Sequence, residues 1–352
     1  MAARPRARSQ EAARLSDALA AGTAIDERAA LVVATSGSTG TPKGAMLTRA
    51  NLAASAAGTH ERLGGPGQWL LAMPPHHVAG VQVMLRSLAS GHAPLGLDVR
   101  NGFDPAALGP AHARMTADRR YVSIVPTQLV KTLADPAATE ALARFDGVLV
   151  GGAACPPSAR EAALAAGIRI VRTYGMSETA GGCVYDGVPL PGVEIRVDVP
   201  DSRVVLGGPT VALGYRNAPG HPAFAEPGWF RTDDAGTLTD GVLAVTGRLD
   251  EAISTGGLTV LPQVVEAVLA RVPGVAEVAV FGRPDPRLGE AVEAAVVPEP
   301  GATVTVEALR AAVAAEVDRT AAPRALHLLD ELPRRGPGKV DRRALVDRFS
   351  EY

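Results

Sequence analysis

The sequence predicts an α/β protein with a large N-terminal α/β domain of mostly parallel sheet, followed by a small C-terminal α+β domain. Short β-branched apolar runs first alternate with alanine-rich segments of helical length. After Val188 the apolar runs shorten and turn residues separate them. After Asp250 the tail to Tyr352 has a helix and strand pattern of its own.

The strand-like runs of the first part are ALVVAT, QWLLAMP, RYVSIVP, GVLVGG and IRIVRTYG. Helix-like segments separate them, and parallel strands need such crossovers, so this pattern predicts a mostly parallel sheet. The runs GVEIRVDVP, SRVVLGG and GVLAVTGRLD predict a small barrel-like β section. We expect residues 1–249 to form one domain and residues 250–352 the other.

The composition is that of an ordinary globular protein, with 47% hydrophobic and 20% charged residues among 352. A formal charge of −2 provides no general attraction for nucleic acid or anionic membrane, and no apolar run is long enough to span a bilayer. The basic N-terminus lacks the apolar region of a signal peptide. Cys155 and Cys183 fit a reducing compartment and give no metal-binding spacing. These features predict a cytoplasmic protein without membrane insertion or nucleic-acid partners.

The segment TSGSTGTPKG, from Thr35 to Gly44, predicts a phosphate-binding loop. It is not a Walker A loop, because Pro42 precedes the lysine and glycine rather than a hydroxyl residue follows it. Flexible glycines and hydroxyls can still donate to phosphate oxygens, and Lys43 adds positive charge. A surface turn is the alternative for glycines alone, and the full order of ten residues favours phosphate. The predicted contacts are Thr35, Ser36, Gly37, Ser38, Thr39, Gly40 and Lys43.

The chain contains only three lysines, Lys43, Lys131 and Lys339, and all its other basic residues are arginine. Two of the three lie in glycine-rich segments. In a chain that uses arginine in nearly every other basic position, the remaining lysines are expected where a compact ammonium is needed.

Seven motifs in fixed order resemble those of the adenylate-forming superfamily, which includes acyl-CoA synthetases, luciferases and the adenylation domains of peptide synthetases. The resemblance extends from residue 31 over nearly all the chain. The motifs are TSGSTGTPKG, MPPHHVAG, VGGAAC, YGMSETAGG, GWFRTDDAG, GRLDEAISTGG and LPRRGPGKVDRR.

This resemblance implies that the chain binds ATP and Mg2+. The implied nucleotide contacts are a loop along the adenine (Gly152, Ala153 and Ala154) and a tyrosine stacked on it (Tyr174, followed by Gly175). They also include a threonine at the α-phosphate (Thr179) and two residues at the ribose (Asp234 and Arg248). Glu178 would help to hold Mg2+. The sequence has Asp233 where the family usually has glycine, which leaves open which aspartate contacts the ribose; the register favours Asp234.

The implied reaction joins a carboxylic acid to coenzyme A through an acyl-adenylate. Lys339 is implied as the catalytic lysine on a mobile C-terminal domain, and Asp250 as the hinge. His77 takes the place of the family's acyl-site histidine, with a catalytic and a substrate-binding role. Gly256 and Gly257 suit the close approach of the pantetheine arm of CoA. Only about thirty residues precede the signature loop, so we expect the pocket wall or the dimer surface to be reduced.

The acid is predicted to carry a second carboxylate. Gln82 and Arg86 follow His77 on a predicted helix, and a buried arginine would not suit a fatty-acid tunnel. A surface helix position is the alternative for Arg86. The segment RTYGMSETAGGCVYDGVPLPGV and the short length resemble those of o-succinylbenzoate–CoA ligases of menaquinone biosynthesis. This resemblance implies that Arg86 and the residues Ser177, Gly181 and Gly182 contact the free carboxylate.

Three other functions stay open: another aryl- or acyl-CoA ligase, a stand-alone enzyme that loads a carrier protein, and a non-catalytic nucleotide-binding relative. Lys339 argues against the last, and a fused carrier domain, which would favour carrier loading, is not seen in this sequence. A homodimer also stays open.

Overall fold

The computed structural model describes residues 19, 25–35, 42–335 and 339–349. The chain divides into two compact units. The first unit comprises Met1–Arg196, Val205–Thr232 and Leu238–Leu243, and the second comprises Val197–Val204, Asp233–Thr237 and Ala244–Tyr352. No described helix combines the length and the apolar character that crossing a membrane requires.

The first unit begins with an antiparallel pair of strands, β1 (Ala29–Ala34) and β2 (Gly44–Thr48). It continues with a seven-stranded sheet in the order β4-β3-β5-β6-β7-β8-β9. Strands β4, β3, β5, β6 and β7 are parallel to their neighbours. Strand β8 then pairs antiparallel with β7, and β9 pairs antiparallel with β8. The strands are β3 (Gln68–Leu71), β4 (Leu95–Gly96), β5 (Arg120–Ile124), β6 (Gly147–Val150), β7 (Ile170–Met176), β8 (Gly181–Tyr185) and β9 (Val188–Pro189).

Helices connect these strands, as the alternation of the sequence predicts. They are α1 (Arg49–Arg62), α2 (Val78–Ala89), α3 (Leu108–Arg114), α4 (Pro126–Leu133), α5 (Pro136–Ala143) and α6 (Pro157–Ala165). Thr48 caps α1, because its Oγ1 accepts from the Asn51 N–H at 3.0 Å. Helices α4, α5 and α6 begin with proline, whose missing N–H is not needed in the first turn. The mostly parallel α/β sheet is confirmed.

The turn-rich section after Val188 forms a four-stranded sheet in the order β10-β11-β12-β13. These strands are β10 (Glu194–Asp198), β11 (Arg203–Gly207), β12 (Trp229–Thr239) and β13 (Val242–Arg248). Its described pairings are those of a sheet with two edges, β10 and β13, where the sequence suggested a barrel-like section.

The second unit contains a five-stranded sheet in the order β15-β14-β17-β16, with β18 parallel to β17. Its elements are β14 (Ile253–Thr255), β15 (Leu258–Val260), α7 (Pro262–Leu269), β16 (Val275–Asp285), β17 (Gly289–Pro298), α8 (Val306–Glu316), β18 (Ala325–Leu328), β19 (Arg334–Arg335), β20 (Lys339–Val340) and α9 (Arg342–Phe349). Valine and leucine side chains from α7, α8 and the sheet form its core, as the apolar pattern predicts. The small α+β fold of the tail is confirmed.

Candidate active site

The two ends of the predicted phosphate-binding loop are joined by the β1–β2 pair. The Thr35 N–H donates to the Lys43 carbonyl at 2.8 Å, and the Lys43 N–H donates to Thr35 Oγ1 at 3.2 Å. Asn217 supports the second end, because its Oδ1 accepts from the Gly44 N–H and its Nδ2 donates to the Pro42 carbonyl, both at 2.9 Å. The other predicted phosphate contacts lie outside the described residues: Ser36, Gly37, Ser38, Thr39 and Gly40.

Tyr215 connects the predicted phosphate-binding lysine to the predicted metal ligand. The Lys43 ammonium lies 5.2 Å from the centroid of the Tyr215 ring. The Tyr215 hydroxyl donates to Glu178 Oε1 at 2.6 Å, and Glu178 is buried. Lys43 and Glu178 are therefore held at opposite parts of one aromatic side chain.

The Glu178 carboxylate fits a Mg2+ ion that arrives with a nucleotide. Mg2+ prefers oxygen ligands and usually takes one or two carboxylates, completing its shell with phosphate oxygens and water. The described residues contain no group of three or more His, Cys, Asp or Glu side chains that could hold a metal unaided. The Glu178 carboxylate could therefore bind Mg2+ only together with the phosphate oxygens of a nucleotide.

The residues Ser177 to Gly182 form a turn against the end of β1. Ser177 Oγ donates to the Ala34 carbonyl at 3.1 Å, which places the turn beside Thr35. Thr179 Oγ1 accepts from the Met176 N–H at 3.0 Å and donates to the Gly181 carbonyl at 2.9 Å. Thr179 is fully buried and its hydroxyl serves the turn, so its contact with the α-phosphate stays a prediction.

Gly175 lets β7 and β8 approach closely behind this turn. Its φ is +153°, and a Cβ placed there would lie 2.2 Å from the Gly181 carbonyl oxygen and 2.7 Å from the Gly182 Cα. Only glycine fits such a position without a shift of the backbone. In the register of this pair, the predicted substrate residue Gly182 lies opposite the predicted nucleotide residue Gly175, and Gly181 lies opposite Met176.

The predicted adenine contacts lie at one edge of the parallel sheet. Gly152, with φ +83°, and its neighbours Ala153 and Ala154 are exposed just beyond the end of β6. Tyr174 is half-buried near the end of β7, the parallel neighbour of β6. Ligands of open α/β sheets bind at the carboxyl ends of the strands, so the placement suits a nucleotide base.

Helix α2 presents one edge to the Ser177–Gly182 turn. His77 is the residue at its N-terminal cap, and Val78, Gln82 and Arg86 follow at four-residue spacing. A Cβ placed on Gly181 would lie 3.3 Å from Gln82 Cγ and 3.8 Å from Val78 Cγ2. The neighbouring edge of α2 lines a cavity of about 590 Å³ with β1, through Val81, Met84 and Leu85.

Arg86 is buried, with 3% of its surface exposed, so the alternative of a surface arginine is wrong. Its Nη2 donates to the Tyr185 hydroxyl at 3.3 Å, and its guanidinium carbon lies 5.2 Å from the Trp69 ring. Among the described residues, neither Arg86 Nε nor Gln82 Oε1 has a hydrogen-bond partner. Burial lowers the pKa of Arg86, because the charged form loses its hydration.

The second unit brings together the predicted ribose and hinge residues. Arg248 makes a bidentate contact with Asp250, at 2.8 Å from Nε to Oδ1 and 2.7 Å from Nη2 to Oδ2. Its Nη1 lies 3.4 Å from Asp234 Oδ1. Burial by itself lowers the pKa of Arg248, but the hydrogen bonds to Asp250 and the charge of Asp234 raise that pKa above its ordinary value.

The two neighbouring aspartates of β12 differ in their surroundings. The Asp234 side chain is 7% exposed and pairs with Arg248, whereas the Asp233 side chain is 59% exposed and pairs with Arg203 at 3.3 Å. Asp233 therefore extends toward solvent, as its place in a glycine position of the family requires.

Gly256 and Gly257 form the two-residue turn between β14 and β15, with φ of +56° and +81°. Such a turn requires positive φ at both positions, which accounts for the glycines. Lys339 begins β20, where it pairs with Arg335 of β19.

A family model described as AMP-binding enzyme matches residues 4–216, more than half of the chain. The chain belongs to the AMP-binding enzyme family. A second model, the AMP-binding enzyme C-terminal domain, matches residues 264–339, which lie in the second unit and include Lys339.

Several known proteins are similar to this chain. A probable 2-succinylbenzoate–CoA ligase of Mycobacterium tuberculosis is 58% identical over 95% of this chain and 88% of its own length. The o-succinylbenzoate CoA synthetase of Bacillus subtilis, solved with the acyl-adenylate OSB-AMP, is 27% identical with a TM-score of 0.76, over 89% of this chain and 68% of that one. ATP-bound MatB from Rhodopseudomonas palustris is 27% identical with a TM-score of 0.81, over 94% and 70%.

Three contact residues of this AMP-binding enzyme were missed at the level of sequence. Tyr215 and Asn217 lie in the segment ALGYRNAPG, which contains no residue pattern typical of a phosphate site. Tyr185, the hydroxyl partner of Arg86, ends β8 and reads as a core residue. The glycine before Tyr215 and the asparagine after Arg216 are the local signal of a turn.

Proposed function

We propose that this chain is an AMP-forming o-succinylbenzoate–CoA ligase of menaquinone (vitamin K2) biosynthesis. The enzyme joins the succinyl carboxylate of o-succinylbenzoate to the α-phosphate of ATP and releases pyrophosphate. The CoA thiol then attacks the acyl carbon of the adenylate, the bond to AMP breaks, and the thioester and AMP leave.

The observation that carries this proposal is the 58% identity with the Mycobacterium tuberculosis relative, over nearly the whole of both chains. The surroundings of Arg86 support the same substrate. A guanidinium buried against Trp69 and Tyr185, with no carboxylate partner among the described side chains, is suited to a second carboxylate on the acid. A monocarboxylic fatty acid would leave that charge without a counterion.

Adenylate formation requires two anions to meet, so the chain must neutralise and align them. Lys43 and Thr35 are assigned to the β- and γ-phosphates, and Asp234 with Arg248 to the ribose. Lys339 is assigned to the contact between the substrate carboxylate and the α-phosphate, where negative charge increases. Glu178 would hold Mg2+, which would supply further charge neutralisation at the phosphate oxygens.

The remaining assignments concern the second half-reaction. Asp250 is the proposed hinge between residues 1–249 and 250–352, and Gly256 with Gly257 is the proposed passage for the pantetheine arm. His77, at the start of α2, is assigned to the acyl site together with Ser177, Gly181 and Gly182. Each assignment rests on the position of the residue within its family motif.

The test is release of AMP that depends on CoA, measured with purified protein, Mg-ATP and o-succinylbenzoate, with benzoate and a medium-chain fatty acid as comparison acids. Strong preference for o-succinylbenzoate supports the proposal. Preference for either comparison acid replaces it with another aryl- or acyl-CoA ligase. Adenylate formation without transfer to CoA would instead indicate an enzyme that loads a carrier protein.

A further inference from the structure

The hairpin that carries Lys339 is fixed at both ends within the second unit. Its strands β19 and β20 pair Arg334 with Val340 and Arg335 with Lys339. On the first strand, Arg334 Nη2 lies 2.8 Å from both carboxylate oxygens of Glu277. After the second strand, the Asp341 N–H donates to the Pro333 carbonyl at 2.8 Å, and helix α9 begins at once with Arg342.

Arg342 contacts three separate elements. Its Nη1 lies 2.6 Å from Glu251 Oε2, its Nη2 lies 2.6 Å from Glu266 Oε1 on α7, and its Nε donates to the Val280 carbonyl at 3.0 Å on β16. The side chain is 17% exposed, as are its two carboxylate partners. Such shielded, charge-assisted contacts hold geometry better than exposed ion pairs do.

Glu266 and Glu251 give Arg342 two different attachments. Burial raises the pKa of Glu266, and the charge of Arg342 acts against that rise, so this pair belongs to the packed body of the unit. Glu251 instead follows the proposed hinge residue Asp250 directly. Its Oε2 also accepts from Gln263 Nε2 at 2.7 Å, and Gln263 Oε1 accepts from the Arg248 N–H at 3.1 Å.

A continuous series of hydrogen bonds therefore runs from Arg248 through Gln263 and Glu251 to Arg342, three residues after Lys339. It starts at a predicted ribose contact on one side of Asp250 and ends beside the predicted catalytic lysine on the other. Because these hydrogen bonds connect residues on both sides of Asp250, a rotation of the backbone at Asp250 would break them.

We propose that Arg342 is a positioning residue for Lys339: through Glu251 and Gln263 it sets the lysine at a fixed place relative to Arg248 and holds the arrangement used for adenylate formation. This inference rests on the proposed function, because it assumes that Lys339 acts in adenylation. Transfer to CoA, which does not use Lys339, is independent of this network.

The experiment compares Arg342→Gln with the matched control Arg343→Gln, an exposed arginine at the next position of α9. Adenylation is measured by exchange of pyrophosphate into ATP with o-succinylbenzoate, and transfer by thioester formation from synthetic acyl-adenylate and CoA. We expect Arg342→Gln to lower kcat of adenylation about 100-fold, as misplacement of a reacting group by about 1 Å does, and to change transfer less than about threefold. Arg343→Gln should leave both rates near wild type.

Glu251→Gln distinguishes positioning from general support of the fold, because it leaves the Arg342–Glu266 pair intact. We expect it to lower adenylation selectively, and Arg342→Lys to recover part of the rate that Arg342→Gln loses. Equal losses in both half-reactions for Arg342→Gln and Glu251→Gln, or no loss in Glu251→Gln, would overturn the proposal. A wild-type protein without exchange activity would contradict the proposed function instead, so the two failures are distinguishable.

Discussion

Replacement of Arg86 by methionine should separate substrate recognition from stability. Arg86 is 3% exposed, with one hydrogen bond of 3.3 Å to a neutral hydroxyl and an Nε that lacks a partner among the described residues. Replacing a buried charge with an apolar side chain of similar volume is often neutral or stabilising. We therefore expect the melting temperature of Arg86→Met to equal or exceed that of the wild type.

The same substitution should damage recognition of a dicarboxylic acid. Truncating one partner of a buried, hydrogen-bonded charge pair costs about 2–5 kcal/mol, which corresponds to a loss of about 30-fold to several thousand-fold in kcat/KM. The loss should appear mainly in KM for o-succinylbenzoate, with KM for ATP nearly unchanged. Both constants are obtained from initial rates of AMP release.

A substrate analogue without the ring carboxylate allows the change in the protein and the change in the substrate to be compared in a thermodynamic cycle. With 4-oxo-4-phenylbutanoate, wild type and Arg86→Met should have similar kcat/KM, because the group that Arg86 binds is missing. The coupling between the arginine and the ring carboxylate is then the difference of the two effects. Equal losses for both acids, or a fall in melting temperature that accounts for lost activity, would refute the assignment of Arg86 to the free carboxylate.

Three further predictions test other parts of the molecule. Lys339→Ala should abolish adenylation in the exchange assay while transfer from supplied acyl-adenylate to CoA continues; loss of both would contradict its role. Asp234→Asn should raise KM for ATP about tenfold or more, because a charged hydrogen-bond acceptor contributes about 1.5–3 kcal/mol, whereas the exposed Asp233→Asn should change it less than about twofold. Gly175→Ala should lower the free energy of unfolding by about 3 kcal/mol or more in urea titrations, since its φ is +153° and a Cβ would clash at 2.2 Å, while Gly96→Ala, with no atom within 4 Å of the new Cβ, should stay within about 0.5 kcal/mol of wild type.

The architecture was largely predictable because periodicity and turn residues are local signals. The strand Gly147–Val150 and the helices that begin with proline can each be predicted from a few neighbouring residues. The open form of the four-stranded sheet after Val188, in place of a barrel-like section, was not predictable in the same way. Whether β10 and β13 meet depends on strand curvature over many residues, which no short pattern records.

The site was predictable where motif order carries it and unpredictable where distant segments meet. The interaction of Tyr215 with Glu178 joins residues 37 positions apart, and Asn217 reaches Gly44 across 173 positions. Arg342 belongs to a recognisable motif, but its partners Glu251 and Glu266 lie 91 and 76 positions away. Spacing identifies reactive residue types, and only packing reveals which carboxylate supports which cation.

The edge of α2 that faces the Ser177–Gly182 turn places Val78, Gln82 and Arg86 one helical turn apart, while the residues assigned to the nucleotide come from strand ends and loops. On the proposed assignments, part of the choice of acid thus lies on a helix that carries no nucleotide contact, although Ser177, Gly181 and Gly182 share their turn with Glu178 and Thr179. On these assignments, we expect substitutions at Val78, Gln82 and Arg86 to alter which carboxylic acid is accepted and to leave the nucleotide contacts in place. Helix α2 is therefore the part of the proposed acyl site where substitutions can change the substrate with the least effect on the proposed nucleotide contacts.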